Sequence, residues 1–100
     1  MALLTEDGIE SALRSLPDWE RAGDALRRAI RFPDFLAGIR FVNRVADIAE
    51  ELDHHPDIDI RYRTVCFYLS SHDEGGLTER DIRLARRIDE ALRGGEGHVG

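Results

Sequence analysis

Residues 54–72 read HHPDIDIRYRTVCFYLSSH, and this stretch decides the fold. Within it, residues 57–63 alternate isoleucine and tyrosine with charged side chains, which is typical of a half-buried β-strand. Residues 65–69 form an apolar run rich in strand-forming side chains. The junction of Arg63 and Thr64 predicts a tight turn, so the two strands form an antiparallel hairpin.

A long amphipathic helix precedes this hairpin. Pro33 and Asp34 start it, and Pro56 ends it because a residue before proline disfavours α geometry. His54 and His55 therefore lie in or just after the last helical turn. We expect this helix to be the main packing element, with one apolar stripe made of Phe35, Leu36, Ile39, Val42, Val45, Ala46, Ala49 and Leu52.

The remaining segments complete the order helix, two strands, helix, two strands, helix. A first helix is N-capped by Thr5 and ends before Pro17, and residues 19–22 and 25–32 form a second hairpin. A last helix begins at Thr78 and carries an apolar face of Ile82, Ala85, Ile88 and Leu92.

This order predicts an α+β fold, in which a four-stranded antiparallel sheet has three helices packed on one face. We expect residues 1–93 to form a single domain and the glycine-rich residues 94–100 to form a disordered tail. The outer strands of such a sheet have unpaired edges. A homodimer or homotetramer is therefore expected.

Composition excludes several classes of partner. The formal net charge is −6, with 20 acidic against 14 basic residues, which argues against nucleic acid. No apolar run approaches the length of a membrane span, and Glu6 and Asp7 interrupt the apolar start, so we expect a cytoplasmic protein. The single cysteine, Cys66, fits a reducing compartment and has the position of a small buried thiol in a strand.

A group of histidines and acids is the strongest functional signal. Three of the four histidines lie between Glu50 and Asp81. If the hairpin forms, its open end brings His72 back to His54 and His55. Glu50 lies one helical turn before His54, so we expect a hydrogen bond between their side chains. Because imidazole titrates near neutrality, this grouping points to proton-transfer chemistry.

Each of these residues also has a simpler interpretation. A histidine at a helix C-terminus is often only a cap, Glu50 has the position of a solvated helix acid, and His72 alone is a loop histidine. Asp81, three residues after Thr78, has the spacing of a capping-box acid. Tyr62 is expected to pack on the sheet. The convergence of three histidines on one hairpin favours a site.

Other chemistries have weaker support. Adjacent histidines diverge on a helix, and the HExxH and paired-cysteine spacings of strong metal sites are absent. Cys66 lies in a strand interior, and no Gly-x-Ser-x-Gly elbow is present. Gly75 and Gly76 lack the lysine of a phosphate loop, although their amides could hold a ligand carbonyl or ring nitrogen. We expect no metal and no organic cofactor, which leaves elimination of water or tautomerisation.

The spacing of these residues resembles the signature of the pterin-4a-carbinolamine dehydratases, also called 4a-hydroxytetrahydrobiopterin dehydratases. The likeness extends upstream through Trp19 and residues 32–35, and downstream through residues 76–81. The fold of that family, a four-stranded antiparallel sheet with three helices on one side, agrees with the order given above. The signature residues are Glu50-x-x-x-His54-His55-Pro56, five residues, Tyr62, nine residues, His72, eight residues and Asp81.

The resemblance implies a hydro-lyase that removes water from a 4a-hydroxytetrahydropterin, which an aromatic amino-acid hydroxylase leaves behind, and so supports tetrahydropterin recycling. It implies that His54 and His72 form an acid–base pair, that His55 binds substrate and assists proton transfer, and that Asp81 and Glu50 orient the imidazoles. Which histidine gives a proton stays open. The implied substrate-binding residues are Glu50, His54, His55, Pro56, Ser71, His72, Asp73 and Glu74.

Two positions depart from the pattern of the family. Ile58 stands where many relatives carry an aromatic residue, and Asp53 stands where asparagine is common. The first changes one wall of the expected pocket, and the second could raise imidazole basicity. No role is assigned to His98. Animal members also act as dimerisation partners of a transcription factor, so the alternative function is a non-catalytic dimerisation or regulatory module.

Overall fold

Helices and strands follow the predicted order in the computed structural model, which describes residues 2–94. The elements are α1 (Glu6–Arg14), β1 (Glu20–Ala22), β2 (Ala25–Arg31), α2 (Phe35–Leu52), β3 (Asp57–Arg61), β4 (Thr64–Leu69) and α3 (Glu79–Arg93). The α+β class is confirmed. Beyond Gly94, the predicted tail lies outside the described residues. Within residues 2–94, no helix has both the length and the apolar character needed to cross a membrane.

The four antiparallel strands lie in the order β1-β2-β4-β3, which places β4 inside the sheet. Cys66 is paired with Ala29 of β2 on one side and with Asp59 of β3 on the other. Along β4, Val65, Phe67 and Leu69 are fully buried in the core that the helices cover. Since side chains alternate along a strand, Cys66 belongs to the opposite face, where it is also buried, as predicted.

The buried face of α2 differs from the predicted stripe. Phe35, Leu36 and Ala46 are exposed, and the buried residues are Ala37, Gly38, Phe41, Val45, Ile48 and Ala49. Gly38 explains the difference, because a Cβ at this position would lie 3.3 Å from Val65 Cγ2 of β4. Apolar residues lie on both the buried and the exposed side of α2. The side with Gly38 faces the sheet because a residue without a side chain can approach it closely.

The turn between β3 and β4 lies one residue earlier than predicted. Arg61 pairs with Thr64, so Tyr62 and Arg63 form a two-residue turn. Two-residue hairpin turns favour a positive φ, and Tyr62 adopts φ 54°. Tyr62 is 72% exposed and does not pack on the sheet, contrary to the expectation from the sequence.

The orientation of α2 can be tested at Phe41. Its ring lies 5.4 Å from that of Phe32 and 6.0 Å from that of Phe67, between centroids. We predict that Phe41→Ala lowers the free energy of unfolding by about 3–5 kcal/mol, measured by urea denaturation. The exposed neighbour provides the control, and Arg40→Ala should change stability by less than about 0.5 kcal/mol. A small effect of Phe41→Ala would show that another face of α2 is buried.

Candidate active site

His54 is the buried member of the three histidines. It follows Asp53, which ends α2 in the left-handed conformation with φ 50°. The backbone N–H of His54 donates to the carbonyl of Ala49 at 3.0 Å, which closes this helix terminus. The His54 side chain is then only 8% exposed, and its Nε2 lies 2.6 Å from Oδ1 of Asp81.

Glu50 pairs with the neighbouring histidine. The expected bond from Glu50 to His54 is wrong, because Nε2 of His55 takes this partner, 2.5 Å from Glu50 Oε2. The left-handed residue Asp53 interrupts the helical spacing on which the expectation depended. Both members of the observed pair are exposed at the surface.

Asp81 has both of the functions that the sequence left as alternatives. Its Oδ2 accepts the backbone N–H of Thr78 at 2.9 Å, which completes a capping box at the start of α3. The same Oδ2 accepts the hydroxyl of Ser71 at 2.8 Å, while Oδ1 contacts His54. The carboxylate is fully buried, so one side chain both caps the helix and holds the imidazole.

His72 lies at the end of the hairpin where residues 54 and 55 enter β3. Asp57 opens β3 opposite Tyr68 of β4, and Nε2 of His72 lies 3.6 Å from Asp57 Oδ2. The His72 side chain is 76% exposed. The hairpin therefore returns His72 to this end of the sheet as predicted, but to the surface. Asp57, its partner, was not among the predicted site residues.

The loop from Ser71 to Gly76 is held by its own backbone. The Ser71 carbonyl accepts the N–H groups of Glu74, Gly75 and Gly76 at 2.9, 3.0 and 3.3 Å, and Gly75 adopts φ 82°. These amides are thus used within the turn, contrary to the expectation that the glycine amides face a ligand. Glu74 is half-buried.

Asp73 is fixed by a residue that the sequence did not single out. Nη2 of Arg80 donates to Asp73 Oδ1 at 2.8 Å. This hydrogen bond holds the pKa of the Asp73 carboxyl below its usual value, and the charge of Arg80 and a smaller contribution from His54 act in the same direction. The one signal in the sequence was the capping-box spacing of Thr78 and Asp81. It marks the start of a helix, and residue 80 in the first turn then lies beside the preceding loop.

The three histidines together could move protons in both directions. Each imidazole lies beside a carboxylate, and these pairs are His54–Asp81, His55–Glu50 and His72–Asp57. A neighbouring carboxylate can fix the tautomer and the orientation of an imidazole. Within the described residues, no three His, Cys, Asp or Glu side chains come close enough to hold a metal ion.

A cavity of about 230 Å³ lies elsewhere, on the open face of the sheet, where Arg27, Cys66 and Tyr68 are among its lining residues. No histidine lines it. The candidate site is therefore the partly open surface around Pro56, which is half-buried, and the loop from Ser71.

Comparison with known proteins identifies the family of the chain. The family model of Pterin 4 alpha carbinolamine dehydratase matches residues 2–91. The chain belongs to this family. Among its dehydratase-family relatives, a protein of Mycobacterium sp. (strain KMS) is 60% identical over 92 residues, which cover 92% of this chain and 98% of that protein. A protein of Mycobacterium tuberculosis (strain ATCC 25177 / H37Ra) is 57% identical over 89 residues, or 89% and 95% of the two chains.

Solved structures of dehydratase-like proteins share the fold. A transcriptional coactivator/pterin dehydratase from Brucella melitensis superposes with a TM-score of 0.84 at 38% identity, covering 88% of this chain and 96% of that one. A pterin dehydratase-like protein described as a RuBisCO assembly factor in the alpha-carboxysome gives a TM-score of 0.60 at 22% identity, over 72% and 83% of the chains. The second likeness shows the fold alone.

The coupling of Asp73 to Arg80 can be measured directly. We predict that Arg80→Leu raises the pKa of the Asp73 carboxyl towards its usual value, in an NMR titration of the side-chain carbon. Because the pKa is lowered in the folded state, the pair contributes to stability at neutral pH, and this contribution is lost as the pH falls through that pKa. Arg83→Leu, an exposed position on the same helix, should leave the titration of Asp73 unchanged. An unshifted pKa in Arg80→Leu would contradict the pairing.

Proposed function

We propose that this protein dehydrates 4a-hydroxytetrahydropterin to quinonoid dihydropterin and water. Membership of the dehydratase family supports the substrate class. The observation that carries the proposal is the buried pair of His54 and Asp81 beside a surface that also presents His55 and His72. Such an imidazole, held by a carboxylate next to a ligand-accessible surface, is suited to acid–base catalysis.

The reaction requires one proton to be given and one to be removed. The C4a–O bond breaks as the hydroxyl takes up a proton and leaves as water, while N5 loses its proton and its electron pair forms the double bond to C4a. In this proposal His54 and His72 are the acid–base pair. Positioned groups of this kind contribute about 10²–10⁴-fold to a rate. The reaction written in this way needs no metal and no organic cofactor.

The other predicted residues bind and orient the substrate. His55, supported by Glu50, contacts the pterin and assists proton transfer. Ser71, Asp73 and Glu74 border the ring with their main-chain groups, and Pro56 fixes the backbone beside it. Substrate would come from an aromatic amino-acid hydroxylase, so the protein would support tetrahydropterin recycling in the cytoplasm. Residues 1–93 would suffice as a single domain.

The acid–base pair is tested with enzymatically generated 4a-hydroxytetrahydropterin, whose dehydration is followed by absorbance. We predict that His54→Ala and His72→Ala each lower the catalysed rate at least about tenfold, because each removes a proton-transfer group. The fourth histidine provides a matched control, and His98→Ala should retain the wild-type rate. Circular dichroism of each variant establishes that the fold is retained.

Two results would reject this function. Dehydration by the wild type at the uncatalysed rate would favour the alternative, a non-catalytic dimerisation or regulatory module of the same fold. Inhibition by a chelator that zinc or iron reverses would instead assign the chemistry to a metal. We expect the chelator to have no effect.

We further propose that the protein is a homodimer or a homotetramer. Phe35 and Leu36 on α2 and Ile58 and Ile60 on the edge strand β3 are exposed apolar side chains. We predict that light scattering at micromolar concentration gives a mass of at least two chains. Leu36→Asp should reduce this mass if α2 is buried between copies, and Ile60→Asp should reduce it if β3 is. The mass of a single chain for the wild type would contradict this prediction.

A further inference from the structure

A chain of buried hydrogen bonds lies behind His54. Ser71 is 1% exposed, Thr78 and Asp81 are 0% exposed, and His54 is 7% exposed. Their side chains are linked in sequence: Thr78 Oγ1 to Ser71 Oγ at 2.8 Å, Ser71 Oγ to Asp81 Oδ2 at 2.8 Å, and Asp81 Oδ1 to His54 Nε2 at 2.6 Å. Buried polar groups need hydrogen-bond partners, so the direction of each hydrogen bond determines whether the next atom donates or accepts.

The direction of the chain follows from the number of hydrogens. The Ser71 hydroxyl has one hydrogen and donates it to Asp81 Oδ2, so its oxygen accepts the hydroxyl hydrogen of Thr78. The Thr78 oxygen in turn accepts the backbone N–H of Arg80 at 3.2 Å. Asp81 Oδ2 also accepts the backbone N–H of Thr78. Both donors reach Oδ2, and an ionised carboxylate has no hydrogen to donate, so Asp81 is an acceptor only.

An acceptor-only carboxylate determines which nitrogen of His54 carries hydrogen. Nε2 must donate to Asp81 Oδ1, so in the neutral imidazole the lone pair is on Nδ1. Residues 2–94 form no hydrogen bond with Nδ1 of His54. Nδ1 is therefore the nitrogen of His54 that can take a proton from the substrate.

We propose that Ser71 and Thr78 are positioning residues, which hold Asp81 so that His54 keeps its hydrogen on Nε2 and reacts through Nδ1. The inference rests on the function proposed above and deepens it. Ser71 has two separate contributions, because its backbone closes the loop to Gly76 while its hydroxyl acts on Asp81. Removing the hydroxyl alone leaves the loop bonds in place.

Two measurements test the inference separately, the tautomer of His54 and the kcat of dehydration. Nitrogen-15 NMR of the imidazole, followed as the pH is raised until its shifts no longer change and the neutral form is observed, should show Nε2–H for His54 in the wild type. In Ser71→Ala we expect a mixture of the two tautomers and a kcat about tenfold lower, with KM nearly unchanged, since one hydrogen bond to a charged group is lost. Ser71→Thr should restore both properties.

Two further variants keep the test decisive. Ser70→Ala is the matched control, because the Ser70 hydroxyl bonds the Asp24 carbonyl outside this chain, and it should change neither the tautomer nor kcat. If Ser71→Ala does not fold, Ser71→Cys supplies a weaker donor of similar shape and should give an intermediate tautomer mixture. Thermal unfolding establishes the folded state of each variant.

The outcomes distinguish this inference from the proposed function. A folded Ser71→Ala with wild-type tautomer overturns the positioning role, even if kcat falls, since the loss would then be structural. A wild-type His54 that carries its hydrogen on Nδ1 overturns it as well. If the wild type fails to dehydrate the pterin, the proposed function fails, while the tautomers still decide whether Ser71 and Thr78 position His54.

Discussion

Both the candidate site and the start of α3 depend on the hydrogen bonds of the Asp81 carboxylate. It accepts hydrogen bonds from the Thr78 backbone and the Ser71 hydroxyl, lies 2.6 Å from Nε2 of His54, and is fully shielded from solvent. Removing one partner from a buried hydrogen-bonded charge leaves the others unsatisfied, at a cost of about 1–3 kcal/mol or more. Helix capping and the placement of the imidazole therefore depend on the same carboxylate.

The patterns of the sequence sufficed for the fold class, since the order of helices and strands follows from local periodicity. The alternation of Ile58 and Ile60, and the break at Pro56, were enough to place His54, His55 and His72 at one end of a hairpin. The carboxylate partner of each histidine could not be predicted from these patterns. Glu50 was assigned to His54 on the assumption that the helical spacing continues, and the left-handed Asp53 ends it.

The face of α2 shows the same limit for packing. Apolar residues lie around much of this helix, so hydrophobic periodicity alone does not select a side. Gly38 makes the selection, because only there can the helix approach Val65 and Phe32 so closely. A glycine has no hydrophobic signal of its own, and its effect depends on the strand opposite it. Such a tertiary constraint cannot be derived from one segment of the chain.

The fold by itself does not decide between catalysis and a binding role, since a protein with the same fold is described as a RuBisCO assembly factor. The environments of the histidines are more informative. Placing an imidazole against a buried carboxylate requires desolvation that an apolar pair of similar volume would avoid, so stability alone gives no reason for it. His54 is the most enclosed of the three histidines, so its side chain adds little to a partner-binding surface. The function that we propose accounts for this arrangement, because it requires that imidazole to keep one orientation while Nδ1 exchanges a proton with the pterin.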